Sequence, residues 1–169
     1  MNQTEMTVNY VRAKLDARTD DVQQYGPLLL LLISGPAGTA SADIATVLAE
    51  RFGCALFNMG KKTDEELFGA PAGYVGADLG GALPNAVREA AATNNGLVIF
   101  ADDIETVSND WRLMLSFLDE GRVTDAKGTA HAPKKTIILM TTDRAADLDP
   151  TLLGRFHKVL PLQADESLL

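Results

Sequence analysis

Apolar residues along this chain come in two rhythms. Short unbroken runs, Leu28 to Ile33, Leu97 to Ala101 and Thr136 to Thr141, predict strands buried on both faces, while apolar residues between them recur at helical spacing. Alternation of the two predicts a parallel sheet covered by helices. Met6, Val8, Val11 and Leu15 share one face of an opening helix, and Asp20-Asp21 through Gly26-Pro27 make a polar linker into the first strand. A helix from Ser41 to Arg51 ends at Gly53, and a strand follows over Cys54 to Met59. The next helix, around Pro84 to Thr93, carries proline in its first turn and stops at Gly96. A further helix from Asn109 to Glu120 turns Trp111, Met114, Leu115 and Leu118 inward and takes Gly121 as its stop. Asp149-Pro150 caps a short helix, and His157 to Leu162 closes the sheet as an edge or final strand.

A chain of 169 residues, 46% hydrophobic and 22% charged, has room for one domain with a sizeable core. Its net charge of −8 disfavours a broad electrostatic grip on nucleic acid. Lys61-Lys62 and Lys134-Lys135 read as isolated, solvated pairs. The single Cys54 lies among apolar residues with no histidine nearby in sequence, so it reads as a small hydrophobe and not a nucleophile. The N-terminus carries Glu5 and no apolar leader, and Leu28 to Ile33 is too short to span a bilayer. A soluble, cytoplasmic protein without membrane partners is the expectation.

The candidate chemistry begins in LLLLLISGPAGTASAD, Leu28 to Asp43, where a strand, a Gly-Pro-Ala-Gly turn and a helix stand in the order of a phosphate-binding loop. Its candidate nucleotide contacts are Gly35, Pro36, Ala37, Gly38, Thr39, Ala40, Ser41 and Ala42. The consensus G-x-x-x-x-G-K-[ST] calls for glycine, lysine and a hydroxyl residue at the last three of these, and the chain has Ala40, Ser41 and Ala42. Glycine lets backbone approach phosphate, lysine neutralises the outer phosphates, and the hydroxyl ligates magnesium. All three parts of the chemistry are altered at once.

Further segments carry a family resemblance. LVIFADDIE, Leu97 to Glu105, resembles the Walker B strand of the AAA+ ATPases. FGAPAGYVGADLGG, Phe68 to Gly81, and LSFLDEGRVTDAKG, Leu115 to Gly128, resemble the second ATPase ring of Clp-type protein unfoldases and disaggregases. The resemblance runs from about residue 26 to 163, between an N-terminal helix and linker (1–25) and a short tail (164–169). It implies a three-layer αβα sandwich around a five-stranded parallel sheet of P-loop NTPase type, assembled in rings that thread polypeptide. It also implies roles for individual residues: Asp102 as magnesium ligand, Asp103 where the hydrolytic glutamate stands, and Tyr74 and Val75 in the pore loop. Asp143 falls at the sensor position, usually asparagine, and Arg155 at the arginine finger, which acts on a neighbouring subunit's nucleotide. The helical lid that follows the large domain in this family has no counterpart before Leu169.

Lysine to Ser41 and asparagine to Asp143 leave the expected pocket two charges more negative than in active relatives. At about 4 Å and an effective dielectric near 20, each unfavourable unit interaction is on the order of 4 kcal/mol, enough to erase a micromolar affinity when only partly relieved. Shortening glutamate to Asp103 also draws back the base by one methylene. Three readings follow. The first is a pseudo-ATPase, a non-catalytic regulatory or interaction subunit of a chaperone-type assembly, with no cofactor and with a Clp-type subunit as partner. The second is a weak ATPase that keeps ATP and Mg2+ on backbone amides and the helix N-terminus and threads polypeptide through a ring. The third is a hard-oxygen metal site made of Asp102, Asp103 and Asp143.

Overall fold

A computed structural model of the chain describes residues 2–17, 28–35, 39–60, 64–69, 80–104, 117, 120–124 and 128–161. Five strands, β1 (Leu28–Ser34), β2 (Cys54–Asn58), β3 (Gly96–Ala101), β6 (Thr136–Thr142) and β7 (Lys158–Pro161), form one all-parallel sheet. Their order across it is β2-β3-β6-β1-β7, and β4 (Val123–Thr124) pairs antiparallel with β5 (Ala130–His131) apart from it. The α-helices whose bounds lie among the described residues are α1 (Gln3–Ala17), α2 (Thr39–Phe52), α3 (Asp64–Phe68), α4 (Ala82–Ala92) and α5 (Pro150–Leu153).

Side chains alternate across a strand, so the apolar runs of β1, β3 and β6 feed two cores at once. Leu29, Leu31 and Ile33 of β1 join Val98, Phe100, Ile137 and Leu139 beneath Val8 and Val11 of α1 and Ile44 and Leu48 of α2. Leu30 and Leu32 join Leu97, Ile99, Ile138 and Met140 on the other face, under Leu67 of α3, Val87 of α4 and Leu152 of α5. This is the expected three-layer sandwich. The sheet edges are thinner: Leu56 on β2 is 44% exposed and Val159 on β7 is 41% exposed.

Several expected boundaries shift for identifiable reasons. Helix α2 begins at Thr39, two residues before Ser41. Strand β2 stops at Asn58, and Met59 turns into the core while its N–H still reaches the Phe100 carbonyl at 2.8 Å. Helix α4 starts two residues ahead of Pro84 and ends at Ala92; its stop is Asn94, at φ +53, and not Gly96. Gly96 is instead the first residue of β3, where an added Cβ would sit 2.6 Å from Cys54 Sγ, so strand packing and not helix termination needs the glycine there. Of the expected Asn109–Glu120 helix only Phe117 and Glu120 lie among the described residues, both helical, and Gly121 follows at φ +68 with its N–H on the Phe117 carbonyl at 2.7 Å. Trp111 lies outside the described residues. Cys54 is half-buried, burial pushes its thiol pKa up against the opposing pull of Lys135, and the unreactive reading stands.

The last strand begins one residue later than expected because of how His157 bonds. Its N–H donates to the Leu30 carbonyl at 2.8 Å, while the Leu30 N–H donates to the imidazole Nδ1 at 2.9 Å. A side chain thus takes the acceptor place that a backbone carbonyl would fill, and regular pairing starts with Leu31 opposite Lys158. The His157 carbonyl in turn accepts from Tyr10 Oη at 3.3 Å, tying α1 to this edge. His157→Ala strands the Leu30 donor, and water can partly replace the ring at this edge, so a loss of about 1 kcal/mol is expected in urea unfolding. Tyr10→Phe, which removes only the longer contact, stays within about 0.5 kcal/mol of the parent.

Candidate functional site

Three strand ends meet at the carboxyl edge of the sheet, where β3, β6 and β1 lie side by side. From β1 the chain crosses to β2 through α2 on one face, and from β6 it crosses to β7 through α5 on the other. Connections that diverge in this way leave a crevice at the strand ends, the usual ligand position in an open α/β sheet. Gly35, the first residue beyond β1, donates its N–H to the Thr142 carbonyl at 2.9 Å, which fixes where the turn departs. Helix α2 then opens at Thr39, directing its N-terminal amides and the positive end of its dipole at this edge.

Ser41 sits in the first turn of that helix, and it is 3% exposed. Ala42 is half-buried against the core beneath α1. Pro36, Ala37 and Gly38 lie outside the described residues, and of Thr39 and Ala40 only the helical backbone is described.

Thr141 organises the acidic side of the crevice. Its hydroxyl donates to Asp102 Oδ1 at 2.6 Å and accepts the Asp103 N–H at 2.8 Å, so one buried side chain on β6 fixes the carboxylate and the backbone that follow β3. A hydrogen bond to an ionised oxygen is roughly twice as strong as a neutral one, which suits this contact to hold a charged group in place. Asp103 takes φ +52, a left-handed conformation that aspartate tolerates better than most residues, and the bond from its N–H helps to hold the turn there. Sequence patterning hides Thr141, since it reads as one more position of an apolar strand. The available signal is a hydroxyl residue at the carboxyl end of a strand buried on both faces.

Asp143 follows the last residue of β6 and is largely open to solvent. The Thr142 hydroxyl accepts the Arg144 N–H at 3.0 Å and turns the chain, leaving the Asp143 side chain 52% exposed with Arg144 Nε at 3.9 Å from its carboxylate. Among the described residues no three acids, histidines or cysteines gather closely enough to hold a metal ion. The hard-oxygen cluster of Asp102, Asp103 and Asp143 is therefore not assembled.

Arg155 follows α5, whose first turn is capped by Asp149 Oδ1 accepting the Thr151 N–H at 2.8 Å. Its Nη1 donates to the Thr151 carbonyl at 2.9 Å, four residues back, so the guanidinium is braced on its own short helix. Tyr74 and Val75 lie outside the described residues, but the chain on either side of them is described. A Cβ built on Gly69 would lie 3.2 Å from both the Gly80 carbonyl carbon and the Gly81 nitrogen, so Gly69 and the Gly80-Gly81 backbone pack closely together. That junction is close-packed: a Cβ on Gly81 would collide with the Leu67 carbonyl oxygen.

Among the described residues no helix is long and apolar enough to cross a membrane. Residues 31–151 match the family described as AAA domain (Cdc48 subfamily). The chaperone protein ClpB of Lactococcus lactis is 37% identical over 131 residues, covering 69% of this chain and 14% of that protein. The ATP-dependent Clp protease ATP-binding subunit ClpA homolog of Pyropia yezoensis is 33% identical over 153 residues, covering 85% of this chain and 18% of that protein. ClpB of Clostridium perfringens is 34% identical over a similar stretch, covering 85% of this chain and 17% of that protein. The match thus spans under a fifth of the length of each of these relatives. The chain belongs to the AAA+ ATPase family, as a domain of the Clp type.

Proposed function

We propose that this domain is a pseudo-ATPase: a Clp-like AAA+ large domain that keeps the frame of the nucleotide site without its charge chemistry and serves as a non-catalytic regulatory or interaction subunit. The observation that carries this reading is Ser41, a neutral residue 3% exposed in the first turn of α2, where the loop consensus puts a lysine. Backbone amides at a helix N-terminus favour an anion by up to about 1 kcal/mol near the surface, less than a lost cation against a triphosphate withdraws. Asp143 contributes less than its sequence position implies, because a carboxylate more than half exposed is screened, and its repulsion falls toward ~1 kcal/mol. The missing cation outweighs the added acid.

In this reading Arg155 is the element offered to a partner. Braced on α5, it would complete the nucleotide site of an adjacent Clp-type subunit in a mixed ring, where an arginine stabilises developing phosphate charge. Tyr74 and Val75, which lie outside the described residues, keep in this reading the pore-loop role that the family resemblance implies, since an aromatic ring packs on extended chain with little sequence preference. The alternative, a weak ATPase that threads polypeptide, draws on one specific observation: the Thr141 hydroxyl holds Asp102 as a magnesium-binding carboxylate would need to be held.

Calorimetry separates the two. Mg-ATP is expected to give no saturable heat at concentrations on the order of tens of micromolar, and binding in that range, with phosphate release abolished by Asp103→Asn, returns the domain to the weak ATPases. The triple variant Ala40→Gly, Ser41→Lys, Ala42→Thr is expected to gain at least about tenfold in affinity, or ~1.4 kcal/mol. Native mass measurement with an active Clp-type subunit and ATP is expected to show a mixed assembly, and a monomer indifferent to both removes the interaction role. Thr141→Val, which leaves Asp102 and the Asp103 N–H without their shared partner, is expected to lower stability by about 1–3 kcal/mol in urea unfolding. Thr141→Ser keeps the hydroxyl and should recover most of that loss.

A further inference from the structure

Sequence-distant cations gather at the pole of the sheet opposite the nucleotide crevice, where the strands begin. Lys134 and Lys135 immediately precede β6, Lys158 opens β7, and Arg12 and Lys14 stand in the second half of α1. Folding ties them together through two aromatic rings. Phe52, at the end of α2, has Arg12 Cζ at 5.9 Å and Lys135 Nζ at 6.0 Å from its ring centre. Tyr10 has Lys14 Nζ at 5.6 Å and Lys158 Nζ at 6.0 Å. Backbone bonds anchor the frame, with Lys134 N–H on the Asn95 carbonyl at 2.9 Å and Leu97 N–H on the Lys135 carbonyl at 2.9 Å. Lys134-Lys135, an isolated solvated pair in the sequence, is therefore part of a larger group.

Five of the chain's 15 basic residues lie at this end of a molecule whose net charge is −8. Among the described residues none of the five is in an ion pair with a carboxylate. Asp16 is the acid on the same stretch of α1. A salt bridge would cancel these charges, whereas a ring face orients a cation and leaves its charge available. Held side chains also lose less freedom when a partner arrives.

We propose that this pole is a docking surface for an acidic polypeptide segment. Charge complementarity sets the sign of the partner and steers its approach. A short acidic segment need present only a few carboxylates to meet these five cations, whereas a nucleic acid carries its run of charge past them along a body of net charge −8. The surface is independent of the nucleotide crevice. It stands whether or not ATP binds.

Fluorescence anisotropy with labelled polyglutamate and the full chain tests this directly. Saturable binding is expected, weakening as ionic strength rises. Lys14→Gln with Lys158→Gln should weaken it about tenfold, while Arg88→Gln with Arg122→Gln, the same charge change on other elements, should leave it unaltered. Circular dichroism checks that each variant is folded, and protection of Lys14, Lys135 and Lys158 from acetylation by bound polyglutamate reads the same surface in the unaltered protein. Absence of saturable binding at low salt, equal loss in both variant pairs, lack of protection, or tighter binding of oligothymidylate than of polyglutamate overturns the proposal.

Discussion

The constraint on which the rest of this domain depends is the burial of β1 on both faces. Leu29, Leu30, Leu31, Leu32 and Ile33 are each at most 1% exposed, and alternate residues belong to different cores. A strand with no polar face must be covered twice, so α1 and α2 on one side and α3, α4 and α5 on the other are consequences of that one run. Its backbone groups must also be satisfied away from water. Strand β6 pairs along its whole length, whereas β7 pairs only from Leu31 onward, and His157 supplies the missing acceptor at Leu30. Because β1 is locked in register with β6, Gly35 leaves the sheet beside Thr142, and the crevice position follows.

In the proposed reading, the same frame explains how a nucleotide-site geometry persists apart from the residues that make such a site catalytic. The Gly35 bond to Thr142, the start of α2 and the Thr141 bridge to Asp102 and Asp103 rest on backbone and hydroxyl groups of the sheet. None of them involves the side chains at 40 to 42. Substitutions at those positions can alter charge at the crevice while the strand ends stay where they are, because packing and ladder bonds carry the position. In the proposed reading, selection acts on the scaffold and on Arg155, and not on phosphate affinity.

What the sequence revealed and what it hid divide along the range of the interactions. β1, β3 and β6 were legible because a run buried on both faces leaves an unbroken apolar signature. The cap of Asp149 on α5 was legible because it involves neighbours two residues apart. Gly96 was misread because a glycine after a helix usually marks a stop, and only the approach of Cys54 from the adjacent strand discloses the actual reason. Thr141, His157 and the ring-held cations were invisible because their partners lie far along the chain: Asp102 for the first, Leu30 for the second, Arg12 with Phe52 and Lys135 for the third. Asp143 was legible as the residue that ends the β6 run, but the Thr142 hydroxyl bond to the Arg144 N–H that turns the chain there was not.

The burial of Ser41 also bears on why a domain of this kind could dispense with its lysine. A lysine is among the residues least tolerated in a closed environment, since desolvating an ammonium without a counter-charge is severely unfavourable. In a nucleotide-loaded ATPase the phosphates provide that counter-charge. A domain used as a scaffold would spend its time without them, and the lysine would then be a standing liability at the base of α2. Serine at 3% exposure removes the charge and keeps a group small enough to pack in the first helical turn. Stability and phosphate binding thus pull in opposite directions at this one position, as they often do at functional sites. In the proposed reading, in which the domain contacts another subunit and does not turn over nucleotide, the stability side prevails and the neutral residue follows.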